Sequence, residues 1–480
     1  MSTAARAVHK RDLAFSAARP ADWAPWAMLA SDVLSLELAF ILGLAIRRLL
    51  APFFIYGIGP QQYTAVAIAI LIVPVVHYQL GLYPGYLLGP VERLRRRTLS
   101  TLAVFGGLVA WDNLVARGVL SRGVLLATFA FALVLPPLAE KLARSLLIAR
   151  NRWGIPAVIL GAGPTGRAIA RTLLRDPQLG IRPVAFLDDN PAVWHSPIEN
   201  LPVAGPLSLA RDFEDRAECA IVAIKKKRLD AFLHDLNFPR VLVLPDLDAL
   251  SNLWVTARDL NGSLGLEIKK NLLIRRNIAL KRLMDQAISL PLFILSLPIL
   301  ALAGVWIKLS SPGPVFYRQE REGFDGRRVS IWKLRTMRAD ADQFLADWLS
   351  SHPGDQAIWK KFFKLPHDPR VLPGIGKLLR RTSLDELPQL WTILKGEMSL
   401  VGPRPFPDYH LSHFSPDFRA LRTRVLPGLT GLWQVSARSD GDTEVQEALD
   451  TYYIRNWSPW LDLYILARTV AAVLFARGAY

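Results

Sequence analysis

Long apolar runs separated by short basic connections fill the first third of the chain. The runs Trp23 to Ile46, Tyr63 to Tyr78, Leu99 to Val115 and Gly123 to Leu138 predict a four-helix transmembrane region over residues 1–150. Some fall short of the ~20 residues that a spanning helix wants, so their boundaries are soft. The pattern then changes. Ile155 to Leu160 reads as a buried strand, a helix runs to about Arg175, and strands are expected at Val184 to Leu187, Cys219 to Ile224 and Val241 to Leu244. This predicts a small Rossmann-like α/β domain over 151–250, followed by a basic connector over 251–280. Apolar residues return from Leu283 to Leu309, interrupted by Pro291 and Pro298. Residues 311–480 form the remaining domain, expected to be compact and mostly α. Its end, Asp450 to Tyr480, mixes Tyr452, Tyr453, Trp457, Trp460 and Tyr464 with Arg455, Arg468 and Arg477. That mixture suits an amphipathic helix on a membrane surface, or one packed on the domain itself.

Charge orients these segments. The chain of 480 residues is 51% hydrophobic yet carries a formal net charge of +17, a combination that soluble proteins rarely show. Arg6, Lys10, Arg11 and Arg19 precede the first run. Arg93, Arg95, Arg96 and Arg97 separate the second from the third, and Lys141, Arg144, Arg150 and Arg152 follow the fourth. The positive-inside bias puts the N-terminus, the second connection and all that follows the fourth helix in the cytoplasm. The N-terminus, polar for some twenty residues, does not read as a cleaved signal peptide. Asp32 and Glu37 lie inside the first run, where an acid is costly; a helix-packing or near-interface role is expected. Cys219 is the one cysteine, so neither an internal disulfide nor a cysteine zinc site is available. No nucleic-acid-binding motif accompanies the basic residues, so no nucleic-acid partner is expected.

Two stretches carry candidate chemistry. Gly161-Ala162-Gly163-Pro164-Thr165-Gly166 follows the first strand, and Asp188-Asp189 ends the second. This is the dinucleotide fingerprint, with Gly161, Gly163 and Gly166 as a possible nucleotide loop. The segment has no tyrosine and so no Tyr-x-x-x-Lys pair, which favours a regulatory or scaffolding role. Lys225, Lys226, Lys227 and Arg228 read as a solvated helix start. The second stretch runs from Arg380 to Pro405. Asp385 and Glu386 are adjacent carboxylates near a helix start, with Arg380 and Arg381 upstream and the turn Pro403-Arg404-Pro405 downstream. One carboxylate can attack phosphorus while the other holds a divalent metal, and arginines neutralise phosphate oxygens. Ser383-Leu384-Asp385-Glu386 also fits a capping box, so the acids could simply start a helix. Lys333 and Arg335 would share one face of a strand. Asp368-Pro369-Arg370 and Arg438 add further cations and turns.

The segments SPGPVFYRQ, KLRTM, DPR, SLDELPQL, SLVGPRP and PGLTGLWQV stand in this order after the proline-interrupted run. Together they resemble the bacterial polyprenyl-phosphate sugar-1-phosphate transferases, monotopic enzymes that start lipid-linked glycan assembly. The N-terminal helices and degenerate Rossmann-like domain are similar to the long members, such as undecaprenyl-phosphate galactose phosphotransferase. The resemblance implies a ping-pong reaction. Asp385 attacks the β-phosphorus of a UDP-sugar, UMP leaves, and undecaprenyl phosphate then takes the sugar phosphate from the aspartate. It implies Glu386 as the Mg²⁺ ligand, and Lys333, Arg335, Arg380, Arg381 and Arg404 as phosphate and carboxylate contacts. Pro403, Arg404 and Pro405 would border the uridine site.

The apolar run at 281–310 is long enough to span, and is read as a re-entrant hairpin that dips into one leaflet of the inner membrane, the alternative being a kinked spanning helix. Four preceding helices would otherwise leave a cytoplasmic site on the wrong side. Pro298 frees a backbone carbonyl that a nearby serine, Ser296, can satisfy; other members have Ser-Pro adjacent, whereas Leu297 intervenes here. A homodimer is compatible with the long form. Rival readings are a nucleotide-sugar oxidoreductase centred on Gly161 to Gly166 and a non-catalytic membrane scaffold.

Overall fold

The structure, a computed structural model, describes residues 23–53, 60–116, 120–194, 196–224, 236–244, 255–260, 263–268, 271–362, 365, 368–436 and 443–474. The chain divides into two units, Met1–Asp248 and Ala249–Tyr480. Lys225 to Arg228, Arg438 and the basic residues before Trp23 lie outside the described residues.

In the first unit, Trp23–Leu49, Pro90–Val115 and Arg122–Ala149 are long and apolar enough to cross a membrane. The second expected run is shorter, held in the helices Pro60–Ala69 and Ile72–Gln79. Leu36, Ala39, Val66, Ile70, Val73, Val124 and Leu125 bury against one another. Leu34, Leu114 and Leu126 point outward and are well exposed, the reverse of a water-soluble surface. Asp32 is fully buried and joins these helices: Arg97 Nη1 donates to both of its oxygens at 2.8 and 2.9 Å, His77 Nδ1 lies 2.9 Å away, and the Tyr83 hydroxyl donates to it. Glu140 gathers Arg93 at 3.0 Å, Arg97 Nε at 2.5 Å, and Arg144. An acid inside an apolar helix is tolerable when paired in this way.

The α/β part of this unit has strands β1 (Ile155–Leu160), β2 (Ile181–Leu187), β3 (Cys219–Val222) and β4 (Arg240–Val243). They form a four-stranded parallel sheet in the order β2-β1-β3-β4, the α/β sheet expected for this segment. β1 is buried along its whole length, which explains its unbroken apolar sequence. Gly161 sits at φ 111°, and a Cβ on Gly166 would lie 1.9 Å from the Gly161 carbonyl oxygen, so the turn demands glycine at both. Nothing lies within 4 Å of a Cβ on Gly163.

Early in the second unit, where the sequence predicts a basic connector, β5 (Val255–Leu260) and β6 (Ser263–Ile268) pair antiparallel. A single 36-residue helix, Arg275–Ser310, follows and keeps Pro291 and Pro298 inside it. Ser296 is buried and its hydroxyl donates to the Phe293 carbonyl at 2.7 Å. Proline at 298 removes the hydrogen bond to the carbonyl four residues back, that of Ile294, so Ser296 serves the adjacent carbonyl rather than the freed one.

Both halves of this helix pack on the same domain. Near its start, Lys281 donates to the Val401 carbonyl (3.0 Å) and to Asp462 (2.7 Å), and Asp285 accepts from Ser399 (2.7 Å). Past the prolines, Leu300, Ala303 and Ile307 bury against Leu334, Leu372, Ile375 and Leu379. Leu283, Leu295, Leu302 and Leu309 face outward, at 66, 70, 73 and 82% exposure. Strands β7 (Phe316–Glu322) and β8 (Arg328–Leu334) pair antiparallel, and β9 (Ser399–Val401) and β10 (Gly428–Thr430) pair parallel; helices make up most of the rest. The helices Thr443–Arg455 and Pro459–Leu474 bury Tyr453, Trp457, Leu461 and Ile465. The C-terminal segment is thus packed on its own domain, with Val470 among the side chains left outside.

Candidate active site

The helix Ile375–Thr382 ends at Ser383, which adopts a left-handed φ of 56°. Its side chain makes no capping bond, so the capping-box reading of Ser383 to Glu386 fails. Leu384–Glu386 form one 3₁₀ turn instead, and the next helix, Gln389–Leu394, begins only after Pro388. Leu384 and Leu387 pack onto the cluster of Leu300, Ala303 and Ile307. The acid pair is therefore held on the cluster that the long apolar helix shares with Leu334, Leu372, Ile375 and Leu379.

Lys333, at the end of β8, places Nζ 2.6 Å from Glu386 Oε1, and Arg404 Nη2 reaches the same oxygen at 3.2 Å. Glu386 keeps 20% of its side chain exposed. Burial raises its pKa, but Lys333 and Arg404 outweigh that and hold it down at about 2. Asp385 has the opposite balance. Burial pushes it up and the Glu386 charge adds to this; Lys333 and Arg380 only partly offset them, leaving it at about 6. Two neighbouring carboxylates are thus split into a permanent anion and a group that ionises near neutrality, a separation typical of acid pairs with distinct roles.

The other expected residues divide. Arg380 donates to Thr336 Oγ1 at 3.0 Å and acts on Asp385 through its charge. Arg381 is exposed. Arg335 does not join the acids: buried, it donates to the Pro312 carbonyl (2.6 Å) and the Ser311 carbonyl (2.8 Å), and so braces the exit of the long helix. β8 ends at Leu334, so Arg335 lies past the strand and does not share the face of Lys333. Pro403 is buried, with its carbonyl accepting from Gly428 N at 2.9 Å; Pro405 is half-buried. A Cβ on Gly428 would meet Gly402 N at 2.1 Å, so these glycines let β9 and β10 close up and aim Arg404. Arg422 was not foreseen. It donates to the Arg404 carbonyl at 2.7 Å and stacks on Phe406 and Phe414, each 5.4 Å away, fixing the Pro403–Pro405 turn from behind. Its sequence signal was only an arginine near aromatics.

Magnesium characteristically binds through one or two carboxylates, with water and substrate phosphate completing its shell. Asp385 and Glu386 meet that need. The Lys333 and Arg404 bonds both fall on Glu386 Oε1, leaving Oε2 as a donor atom.

In the first unit, Asp188 turns inward onto the glycine loop: its Oδ2 accepts from Ala162 N at 2.7 Å and its Oδ1 from Asn190 N at 2.8 Å. The acid expected at a ribose is occupied by the loop's own backbone.

A charge-split carboxylate pair at the foot of an apolar helix, ringed by Lys333, Arg380 and Arg404, defines a membrane-associated enzyme of phosphate-ester chemistry. Residues 276–476 match the family described as bacterial sugar transferase, and residues 79–218 match one described as CoA-binding domain. Over 396 residues the chain is 33% identical to an undecaprenyl-phosphate galactose phosphotransferase of Salmonella typhimurium, covering 80% of this chain and 81% of that protein. It is 41% identical over 202 residues to the exopolysaccharide production protein ExoY of Sinorhizobium fredii (42% of this chain, 88% of that protein). With a UDP-glucose:undecaprenyl-phosphate glucose-1-phosphate transferase of Escherichia coli it shares 35% identity over 247 residues, half of each chain. The chain belongs to the bacterial sugar transferase family.

Proposed function

We infer that this chain transfers a hexose 1-phosphate, galactose or glucose, from a UDP-sugar to undecaprenyl phosphate, the first membrane step of bacterial polysaccharide synthesis. Relatives named for both sugars support this range. The observation that carries the mechanism is the split acid pair. An Asp385 oxygen attacks the β-phosphorus of the UDP-sugar, the bond to the bridging oxygen breaks, and UMP leaves. A lipid phosphate oxygen then attacks the same phosphorus and displaces the carboxylate. Lys333, Arg380 and Arg404 offset the repulsion between an attacking carboxylate and a diphosphate. Glu386, with Asp385, would hold Mg²⁺, which when bound supplies charge neutralisation for the phosphate oxygens.

Re-entrance of the Arg275–Ser310 helix has a physical ground. Lys281 near one end and Ile307 near the other bury against one domain. A helix crossing the bilayer would carry its ends to opposite faces. An element that enters and leaves by one leaflet keeps both on the domain, with Leu295 and Leu302 in lipid and the site at the headgroup level. The basic connections of the first unit support a cytoplasmic site at the inner membrane.

The test offers UDP-galactose, UDP-glucose and other UDP-sugars to membranes containing the chain and undecaprenyl phosphate. UMP release with one of them, and a labelled sugar phosphate retained on protein before the lipid is added, are expected. Asp385→Asn should abolish both, and full turnover by that variant would remove Asp385 from the chemistry.

A further inference from the structure

The acid pair does not use the buried charge cluster of the first unit. There Arg93, Arg97 and Arg144 pair with Asp32 and Glu140, and the Asp176 charge also acts on Arg93. Arg97 is 3% exposed and, among the described residues, its Nη2 has no hydrogen-bond partner; His77 is 1% exposed and its Nε2 has none among them either. Both residues line a small crevice that opens to solvent. Thr98 and Thr101 complete its polar side, and Ala132, Leu133, Pro136 and Pro137 form an apolar wall opposite. A buried guanidinium nitrogen without an acceptor is costly, and an anionic oxygen is the acceptor that suits it best.

We propose that this crevice binds the phosphate group of a membrane lipid, held by Arg97 Nη2 and the Thr98 and Thr101 hydroxyls. Three observations favour a lipid over a free ion. The crevice lies at the arginine-rich ends of the apolar helices, where headgroups sit. Its far wall is apolar. Leu99, Leu102, Val134 and Leu138, all exposed, flank it on the same two helices and offer a path for an acyl or prenyl chain. This site is independent of the transfer chemistry and does not require the reading of Asp385 to be right.

The experiment titrates short-chain phosphatidic acid into the full-length chain in neutral detergent and follows thermal melting, with phosphatidylcholine and inorganic phosphate as parallel probes. A rise in melting temperature is expected with phosphatidic acid and with neither of the others. The double variant Thr98→Val, Thr101→Val keeps side-chain volume and the ion pairs. It should bind about a hundredfold more weakly, the equivalent of two lost hydrogen bonds to a charged group. Arg97→Lys should lose the effect entirely. Arg404→Ala, altered at the acid pair, should retain the full rise. Binding unchanged in the threonine variant, or lost in Arg404→Ala, overturns the assignment. An equal rise with inorganic phosphate would give the site to a free ion and overturn the lipid.

Discussion

Asp385 is held in a state that favours reaction over stability. Its pKa of about 6 lies above the ordinary carboxylate range because it is buried beside another acid. The folded chain carries no penalty while the group is protonated. The penalty grows as pH rises from about 4 and is complete above about 6, reaching roughly 3 kcal/mol for a shift of this size. Asp385→Asn should therefore melt higher than the parent at pH 8, with the difference shrinking as pH falls towards 4; an equal or lower melting temperature at pH 8 would contradict this. The same ionisation governs attack, so single-turnover UMP release should climb with pH through about 6. Lys333 lowers the Asp385 pKa, so Lys333→Met should move that rise to higher pH as well as slowing the step; an unmoved profile would detach Lys333 from Asp385. The acids and Lys333 were legible from residue type and spacing. Arg335 was misplaced because parity along a strand says nothing about where the strand stops. Arg422 was hidden because it acts through a backbone carbonyl, which no side-chain motif records.

Among the elements, the proline-bearing helix has the clearest consequence. Because Cys219 is buried, a single added cysteine can be read by a membrane-impermeant thiol reagent. Arg275→Cys and Leu309→Cys should both label from the cytoplasmic face in inverted vesicles and neither from outside intact cells; labelling from opposite faces would make the helix a true span. Asp462 joins this helix to the C-terminal pair, accepting from Lys281 Nζ, from Tyr453 OH at 2.9 Å and from Trp457 Nε1 at 3.0 Å. Asp462→Leu leaves a buried ammonium without its counter-ion and should cost about 3 to 5 kcal/mol, measured as loss of folded protein in detergent melting. The apolar runs foretold most helices because burial and lipid exposure both demand them. The β5–β6 hairpin was overlooked although Asn261-Gly262 stands between the two strands, a strong turn signal. The basic residues around it had suggested a linker. The shorter helices of the second unit follow turns whose geometry depends on tertiary contacts, as at Ser383.

At the level of the whole molecule, the Ala249–Tyr480 unit contains every residue of the acid site. A truncated chain beginning at Asn277 should keep UMP release within about tenfold of the full chain; complete loss with the fold intact would assign the first unit a part in turnover. The parallel sheet and its glycine turn were readable because a buried strand followed by Gly161 to Gly166 has few alternatives. That Asp188 closes onto the loop was not readable, since the same acid can face a ribose or a backbone N–H.

The bond from Asn271 Nδ2 to the Trp457 carbonyl, 3.0 Å long, fastens the start of the long helix to the last helices of its domain. The start of that helix is thus tied to the C-terminal helices by a bond made wholly within the second unit. Upstream modules could then be exchanged in evolution without disturbing this domain, in keeping with a relative, the Sinorhizobium protein, that aligns over 88% of its own length with 42% of this chain.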